Sequence, residues 1–348
     1  MKYDELYIAG VGSWYPKPTP VQTAIDAGWY DDAVQRKTGQ VSVTVAGDDD
    51  SHPEMAVRAG KLAVRQAGLP TSDFSLLLHA TSGFAGLDGW NVASYLQHQI
   101  VDGSGVAFEI RQQSNGAMAA LPLVAAHLSA GPENGAALIT AADRFDLPVW
   151  DRWRAYVGLV LGDGASAAVL SRRPGFARVL SVVTESRAEL EGAQRASLPF
   201  QTNPDPADPT LYPISLINRM QEFAASQGGL SAIFKQMNKA LISAVTLAAE
   251  EAGMRPADAD HIVFPNFGRT MLQQEVLDPL DLTIDRTLWE WSREVGHVGA
   301  TDQFGALDHL ARQGLLEPGQ RILLTGIGLG FNWTSAVVEI LERPARAE

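Results

Sequence analysis

"QRILLTGIG" (residues 320–328) is a short apolar run ending in glycine, and it falls on "GAALITAAD" (135–143) at an offset of 185. Working outward, the same offset lays "RQAGL" (65–69) on "EEAGM" (250–254) and "SLLLHATSG" (75–83) on "DHIVFPNFG" (260–268). The first of these pairs closes two helix-patterned segments, 54–69 and 237–254, each with glycine near its C-terminal cap. The second is a pair of apolar strands ending in polar loops. Terminal strands match too, "GASAAVLS" (164–171) with "TSAVVEIL" (334–341), at the smaller offset of 170. An extra segment in the first half, Arg144 to Leu161, accounts for the difference. Strands alternating with helices imply parallel sheets covered by helices. The expectation is an α/β protein of two similar halves, 1–172 and 173–348. Residues 187–233 join them with the proline-rich "QTNPDPADPTLYP" (201–213), either a surface linker or a flap over the cleft.

Composition narrows the function classes. The chain of 348 residues is 46% hydrophobic and 19% charged, enough for one large core or two domains. No apolar run approaches the ~20 residues of a membrane span. The opening "MKYDELYIAGVG" reads as a strand rather than a signal peptide, so a cytoplasmic location is expected. A formal net charge of −13 argues against nucleic acid as a partner. The chain has no cysteine, which excludes disulfides, thiolate metal ligands and a thiol nucleophile.

In open α/β sheets ligands gather beyond the C-terminal ends of the strands. Here those ends carry Thr81-Ser82-Gly83, Gln113-Ser114, Asn266-Phe267-Gly268, His297 and Gly326-Ile327-Gly328. The duplication lays "SNGAMAAL" (114–121) on "GATDQFGAL" (299–307), two loop-to-helix junctions in equivalent places. One supplies Ser114; the other follows Gly296-His297 and contains Asp302. A serine hydroxyl needs a base, and that base needs a carboxylate to hold its tautomer. Ser114 at a helix N-terminus has backbone N–H groups for an oxyanion, and "GIGLGF" (326–331) offers another. Each residue alone also reads as ordinary: a helix cap, one of seven histidines, a first-turn acid. "GDGASAAVL" (162–170) reads as small residues before a buried strand rather than as a phosphate loop. No spacing suggests a metal site, a Rossmann fingerprint or a P-loop.

With "GVGSWYP" (10–16), the Ser114 junction, "GDGASAAVLS" (162–171), "VFPNFGR" (263–269) and "GQRILLTGIGLGFNWTSAVV" (319–338) in this order, the chain resembles the thiolase superfamily, and within it β-ketoacyl-acyl-carrier-protein synthase III. The resemblance implies a duplicated five-layered αβαβα fold with two mixed, mainly parallel sheets, normally dimeric. It also exposes departures. The family's nucleophilic Cys falls on Ser114, its catalytic His on Asn266, and its Asn on His297. Cys-His-Asn has become Ser-Asn-His, with Asp302 available to orient the new histidine. The replaced pair serves decarboxylative condensation, whereas a base beside a serine suits simple acyl transfer. Such a variant resembles the members that handle starter acyl groups in antibiotic polyketide pathways, of the daunorubicin-type propionyl or the orsellinate- and methylsalicylate-type aryl class.

The same resemblance implies backbone oxyanion donors at Ser114 and at Gly328 or Leu329. It places an acyl-pocket residue, donated across the dimer interface, at about Gly89 beside Trp90. The family's adenine-stacking Trp falls at about Ala33. Arg36, Lys37, Arg152, Arg154 and Arg269 then stand as candidates to meet phosphopantetheine or an acidic carrier protein. The implied substrates are acyl-CoA or acyl-phosphopantetheine, with no tightly bound cofactor. Two other readings accompany this one: a starter-unit ketosynthase condensing with malonyl carrier protein, and a non-catalytic partner of a polyketide synthase.

Overall fold

The duplication is visible in strand order. The computed structural model describes residues 1, 3, 5–202 and 204–345. Nine strands form one sheet: β1 (Tyr7–Trp14), β4 (Phe74–Ala80), β5 (Val106–Ile110), β6 (Ala136–Asp143), β7 (Gly164–Ser171), β8 (Ala177–Ser186), β9 (His261–Val263), β10 (Arg321–Gly328) and β11 (Asn332–Ile340). A separate ribbon pairs β2 (Pro18–Pro20) with β3 (Ser42–Thr44). The sheet order is β5-β4-β6-β7-β1-β8-β11-β10-β9. Reading inward from either end, β4-β6-β7-β1 mirrors β9-β10-β11-β8. β6 and β10 match residue for residue at the 185 offset. β5 has no strand counterpart, because the segment that would match it lies within helix Trp289–Val295.

Two features of the expected sheets are corrected. First, they are not separate: β1 and β8 exchange a short antiparallel bridge at Tyr7–Arg178 and Ile8–Ala177, which joins the halves edge to edge. Second, they are not mainly parallel. Parallel pairing is confined to β5-β4-β6 and β9-β10, and every other neighbour is antiparallel. At β10–β11 the reason is connection length. β10 reaches β11 through only three residues, which allows an antiparallel return and no helical crossover.

Five layers follow from which faces are buried. Helix Gly116–Ala130 and helix Asp302–Arg312 share one core with residues from both halves of the sheet, so they form the central layer. Helix Gly116–Ala130 buries Ala117, Met118, Ala120, Leu121, Val124, Ala125 and Leu128 and leaves Leu123, Ala126 and Ser129 on a narrow exposed side. Helices His52–Ala67 and Val92–Ile100 cover the outer face of the first half. The 22-residue helix Leu230–Glu251 covers that of the second. Its forerunner in the 187–233 connection, helix Leu216–Ser226, packs in that same outer cluster through Met220 and Ala224. Gly68 and Gly253, one offset apart, both take left-handed φ at helix C-termini, +63° and +70°.

Candidate active site

Ser114 occupies the 3₁₀ turn Gln113–Asn115 that feeds the central helix Gly116–Ala130. Gln113 before it has φ of +50°, a left-handed conformation that a side chain rarely adopts and that costs on the order of 1 kcal/mol. Such strain at a strand-to-helix turn raises the next side chain out of the sheet. The partner junction contributes His297, whose backbone is pinned between the strands: its N–H donates to Val160 O at 2.8 Å and its carbonyl accepts from Gly162 N–H at 2.9 Å. The second half therefore holds its imidazole through the end of the extra segment of the first.

Ser114 Oγ lies 2.8 Å from His297 Nε2. His297 Nδ1 lies 2.6 Å from Asp302 Oδ2. Asp302 is fully buried and accepts further from Val298 N–H at 2.9 Å and Asn266 N–H at 2.8 Å. An ionised carboxylate only accepts, so the proton of a neutral imidazole sits on Nδ1 and leaves Nε2 free to accept the serine hydroxyl. The geometry is that of a hydroxyl, a base and an orienting acid in line.

Asn266 departs from expectation. Its side-chain Nδ2 donates to Gly296 O at 2.8 Å, and the residue is not among those lining the cavity at Ser114. Its amide is spent on holding the turn before His297, and its contribution to the site is the backbone N–H on Asp302. The direct catalytic position expected for it is corrected accordingly.

Ser114 and His297 open into an apolar cavity of about 690 Å³, counting its mouth. The extra segment supplies Phe145, Trp150, Tyr156, Leu159 and Leu161 to its wall; the 216–237 stretch adds Leu216, Met220 and Met237. Phe267, Met271, Ile327, Leu329 and Phe331 complete it. The connection thus covers the cleft as well as linking the halves. Gly89 and Trp90 are not in this wall. Gly89 is exposed, and Trp90 lines a separate hollow with Phe84 and Leu87 while packing on Tyr95 at 5.3 Å. Within one chain the aromatic residues of the extra segment fill the wall instead.

The basic candidates separate. Arg152 is corrected: it is buried and donates to Asp163 at 2.9 and 3.1 Å, Asp146 at 3.2 Å and Leu161 O, so its charge is consumed inside the fold. Arg154 is exposed, donates to Gly28 O at 2.7 Å and lines a surface hollow with Trp29 and Trp153. Arg36 pairs with Asp32 on an exposed helix, and Lys37 beside it is exposed. Exposed Arg269 neighbours them, since Thr270 Oγ1 donates to Lys37 O at 2.8 Å. Ala33 is exposed on that helix, whereas Trp29, four residues earlier, is one of the aromatic side chains at the hollow.

Sequence reasoning missed one support beneath the triad and found another. Asp143, at the end of β6, is buried and accepts from Ser82 N–H at 2.7 Å, Ser82 Oγ at 3.1 Å, Thr81 Oγ1 at 3.3 Å and Ala300 N–H at 3.1 Å. Desolvation pushes its carboxyl up to about 6 against these hydrogen bonds. At the end of β10, a Cβ on Gly328 would stand 2.3 Å from Gln112 O and 2.7 Å from Asn115 Cβ, so only glycine allows that approach. The signal for Asp143 was present: like the expected Gly328, it ends one of the strands whose repeat reveals the duplication.

Comparison with known proteins agrees with this architecture. Models described as 3-oxoacyl-[acyl-carrier-protein (ACP)] synthase III and its C-terminal region match residues 108–188 and 249–340. A β-ketoacyl-[acyl-carrier-protein] synthase III of Pseudomonas aeruginosa is 28% identical over 339 residues, 95% of each chain. The solved structure of ChlB3, described as an acyltransferase, is 35% identical with a TM-score of 0.92, covering 98% of this chain and 99% of that one. A priming β-ketosynthase of a polyketide biosynthetic pathway shares the fold, with 20% identity, a TM-score of 0.75 and coverage of 99% and 98%. No helix among the described residues is long and apolar enough to cross a membrane.

Proposed function

Because the chain belongs to the 3-oxoacyl-[acyl-carrier-protein] synthase III family, we propose that it transfers an acyl group through an ester on Ser114. The observation that carries this reading is the unbroken line Ser114 Oγ, His297 Nε2 and Nδ1, Asp302 Oδ2, with links of 2.8 and 2.6 Å. In the first step Ser114 Oγ attacks the carbonyl carbon of an acyl thioester while His297 Nε2 takes the hydroxyl proton. Backbone N–H groups of Ser114 and of Gly328 or Leu329 hold the oxyanion. Collapse expels the thiolate, which leaves as a thiol with the proton from His297. In the second step His297 deprotonates the acceptor, a carrier-protein thiol or an alcohol or amine of a maturing product, and Ser114 is regenerated. Asp302 stabilises the imidazolium in both steps.

The donor in this reading is acyl-CoA or acyl-phosphopantetheine on a carrier protein, met at the mouth by Arg36, Lys37, Arg154 and Arg269. The acyl group enters the apolar cavity at Ser114. Similarity to ChlB3, described as an acyltransferase, supports acyl transfer, and in this reading the group moved is a starter or tailoring acyl group of polyketide antibiotic biosynthesis. The working unit is a homodimer: β5 is an edge strand, and its Val106 and Phe108 are 48% and 55% exposed. Condensation needs a second polar group at the reacting carbon, and Asn266, whose side chain donates to Gly296 O, is not among the residues lining the cavity at Ser114.

Incubation with propionyl, acetyl and aryl thioesters followed by intact-mass measurement tests the reading. A single acyl adduct is expected on the native chain and none on Ser114→Ala. An adduct that persists in Ser114→Ala refutes it. Release of carbon dioxide from malonyl carrier protein, with a β-ketoacyl product, decides for the ketosynthase instead.

A further inference from the structure

Beneath Ser114 runs a chain of amides that the reaction above does not use. Asn332, the first residue of β11, donates through Nδ2 to Gln112 Oε1 and accepts through Oδ1 from Asn115 Nδ2. Asn115 Nδ2 also donates to Thr334 Oγ1 at 2.9 Å, and Thr334 Oγ1 lies 3.0 Å from Thr184 Oγ1 on β8. The ladder crosses between the halves. It grips the Ser114 turn on both sides, two residues before the serine and one after it. Its other end lies on the strand that follows the Gly-rich loop Gly328–Phe331.

Its placement is costly. Asn115 and Thr334 are fully buried and Asn332 is 8% exposed. Asn115 Oδ1 has no hydrogen-bond partner among the described residues. Leaving a buried amide oxygen unpaired costs on the order of 1–3 kcal/mol. That oxygen is instead pressed against the Gly-rich strand, where a Cβ on Gly326 would stand 2.3 Å away. An apolar side chain at position 115 avoids the penalty but holds nothing across the gap. Asn332 is the strand partner of Gly328, so the ladder ties the Ser114 turn to the Gly328 end of β10 and the loop that follows it.

We infer that Gln112, Asn115 and Asn332 are positioning residues that set the spacing between the Ser114 turn and the Gly328–Leu329 backbone, and with it the site where the thioester oxygen becomes an oxyanion. This rests on the acyl-Ser114 reading. It assigns the three amides a role in rate rather than in substrate binding.

The test compares Asn115→Ala, Asn332→Asp, their double variant and Gln112→Glu with the native chain. Three readouts are used: single-turnover acylation of Ser114 against thioester concentration, phosphonylation of Ser114 by a fluorophosphonate, and melting temperature. Asn332→Asp removes the donor to Gln112 with almost no change of volume, so it serves if Asn115→Ala fails to fold. Acylation at saturating thioester is expected to slow by about 10- to 100-fold, with half-saturation moved less than about 3-fold, as for a misplacement near 1 Å. The double variant should be no slower than the worse single one, because both break one chain of bonds. Gln112→Glu keeps an oxygen acceptor for Asn332 and should retain more of the rate than Asn332→Asp. Unchanged acylation in folded variants, a loss confined to half-saturation, or losses that multiply overturn the inference. If no thioester acylates the native chain, the acyl-transfer reading fails. Phosphonylation, which builds an oxyanion at the same N–H groups, then decides the ladder: slowing by the same factors supports it, and equal rates or an unreactive native Ser114 overturn it.

Discussion

The two halves finish their equivalent strands differently. β6 ends in Asp143 and β10 ends in Gly328, one repeat apart, and each abuts the loop-to-helix junction of the opposite half. Asp143 reaches across with a carboxylate and caps Ala300 N–H, where a Cβ on Gly299 would stand 2.0 Å from Asp143 Oδ2. Gly328 approaches with bare backbone and lies against Gln112 and Asn115. The junctions differ in the complementary sense: Gln112 stands where the other has His297, and Ser114 where it has Gly299. One half caps the turn after His297 with a carboxylate, and the other brings bare backbone against the Ser114 turn. In the proposed reading a duplicated frame becomes a catalytic pair by diverging at a few strand ends, while the four matched strands of each half keep the same order.

The strongest way to break this comparison is to make the junctions alike. His297→Gln installs the residue type of position 112 and should lower the acylation rate on the order of 10⁶-fold, as loss of the base does in serine hydrolases. Single-turnover mass measurement reads it, and a loss below about 100-fold removes His297 as the base. Asp302→Asn keeps the shape but loses the charge that stabilises the imidazolium and one of the two acceptor oxygens, and should cost about 10⁴-fold. Asn266→Ala retains its backbone N–H on Asp302 and should cost far less than either, which the same assay ranks.

Gly328→Ala asks whether bare backbone is needed at the second strand end. The new Cβ would meet Gln112 O at 2.3 Å. Acylation should fall about 100-fold, and stability by about 1–3 kcal/mol from overpacking, measured by denaturant unfolding. The smallest effect sharpens the other end. Burial raises the folded-state pKa of Asp143 to about 6, above its unfolded value of 3.8. Between those values the folded chain binds more protons than the unfolded one, so this group adds stability as pH falls from about 6 to about 4. The stability of the native chain relative to Asp143→Asn should therefore rise over that window in paired thermal melts. Buried His52 and His79, whose pKa values are lowered by desolvation, are present in both proteins and cancel in the difference.

Repetition made the fold legible: helix ends, strand ends and the Ser114 and His297-Asp302 junctions all follow from one offset read along the chain. That much is set by the sequence itself, because hydrophobic period and glycine placement are local properties. What lay beyond it is non-local. The bridge that joins the sheets involves two residues per strand, the side chain of Asn266 turned to a carbonyl 30 residues away in sequence, and Arg152 vanished into a buried ion pair. The cavity wall came from the aromatic extra segment because of where that segment docks, which no periodicity records. Hydrogen bonds and desolvation depend on groups brought together from distant positions, so which polar side chains face the serine and which brace it was decided only when the halves closed on each other.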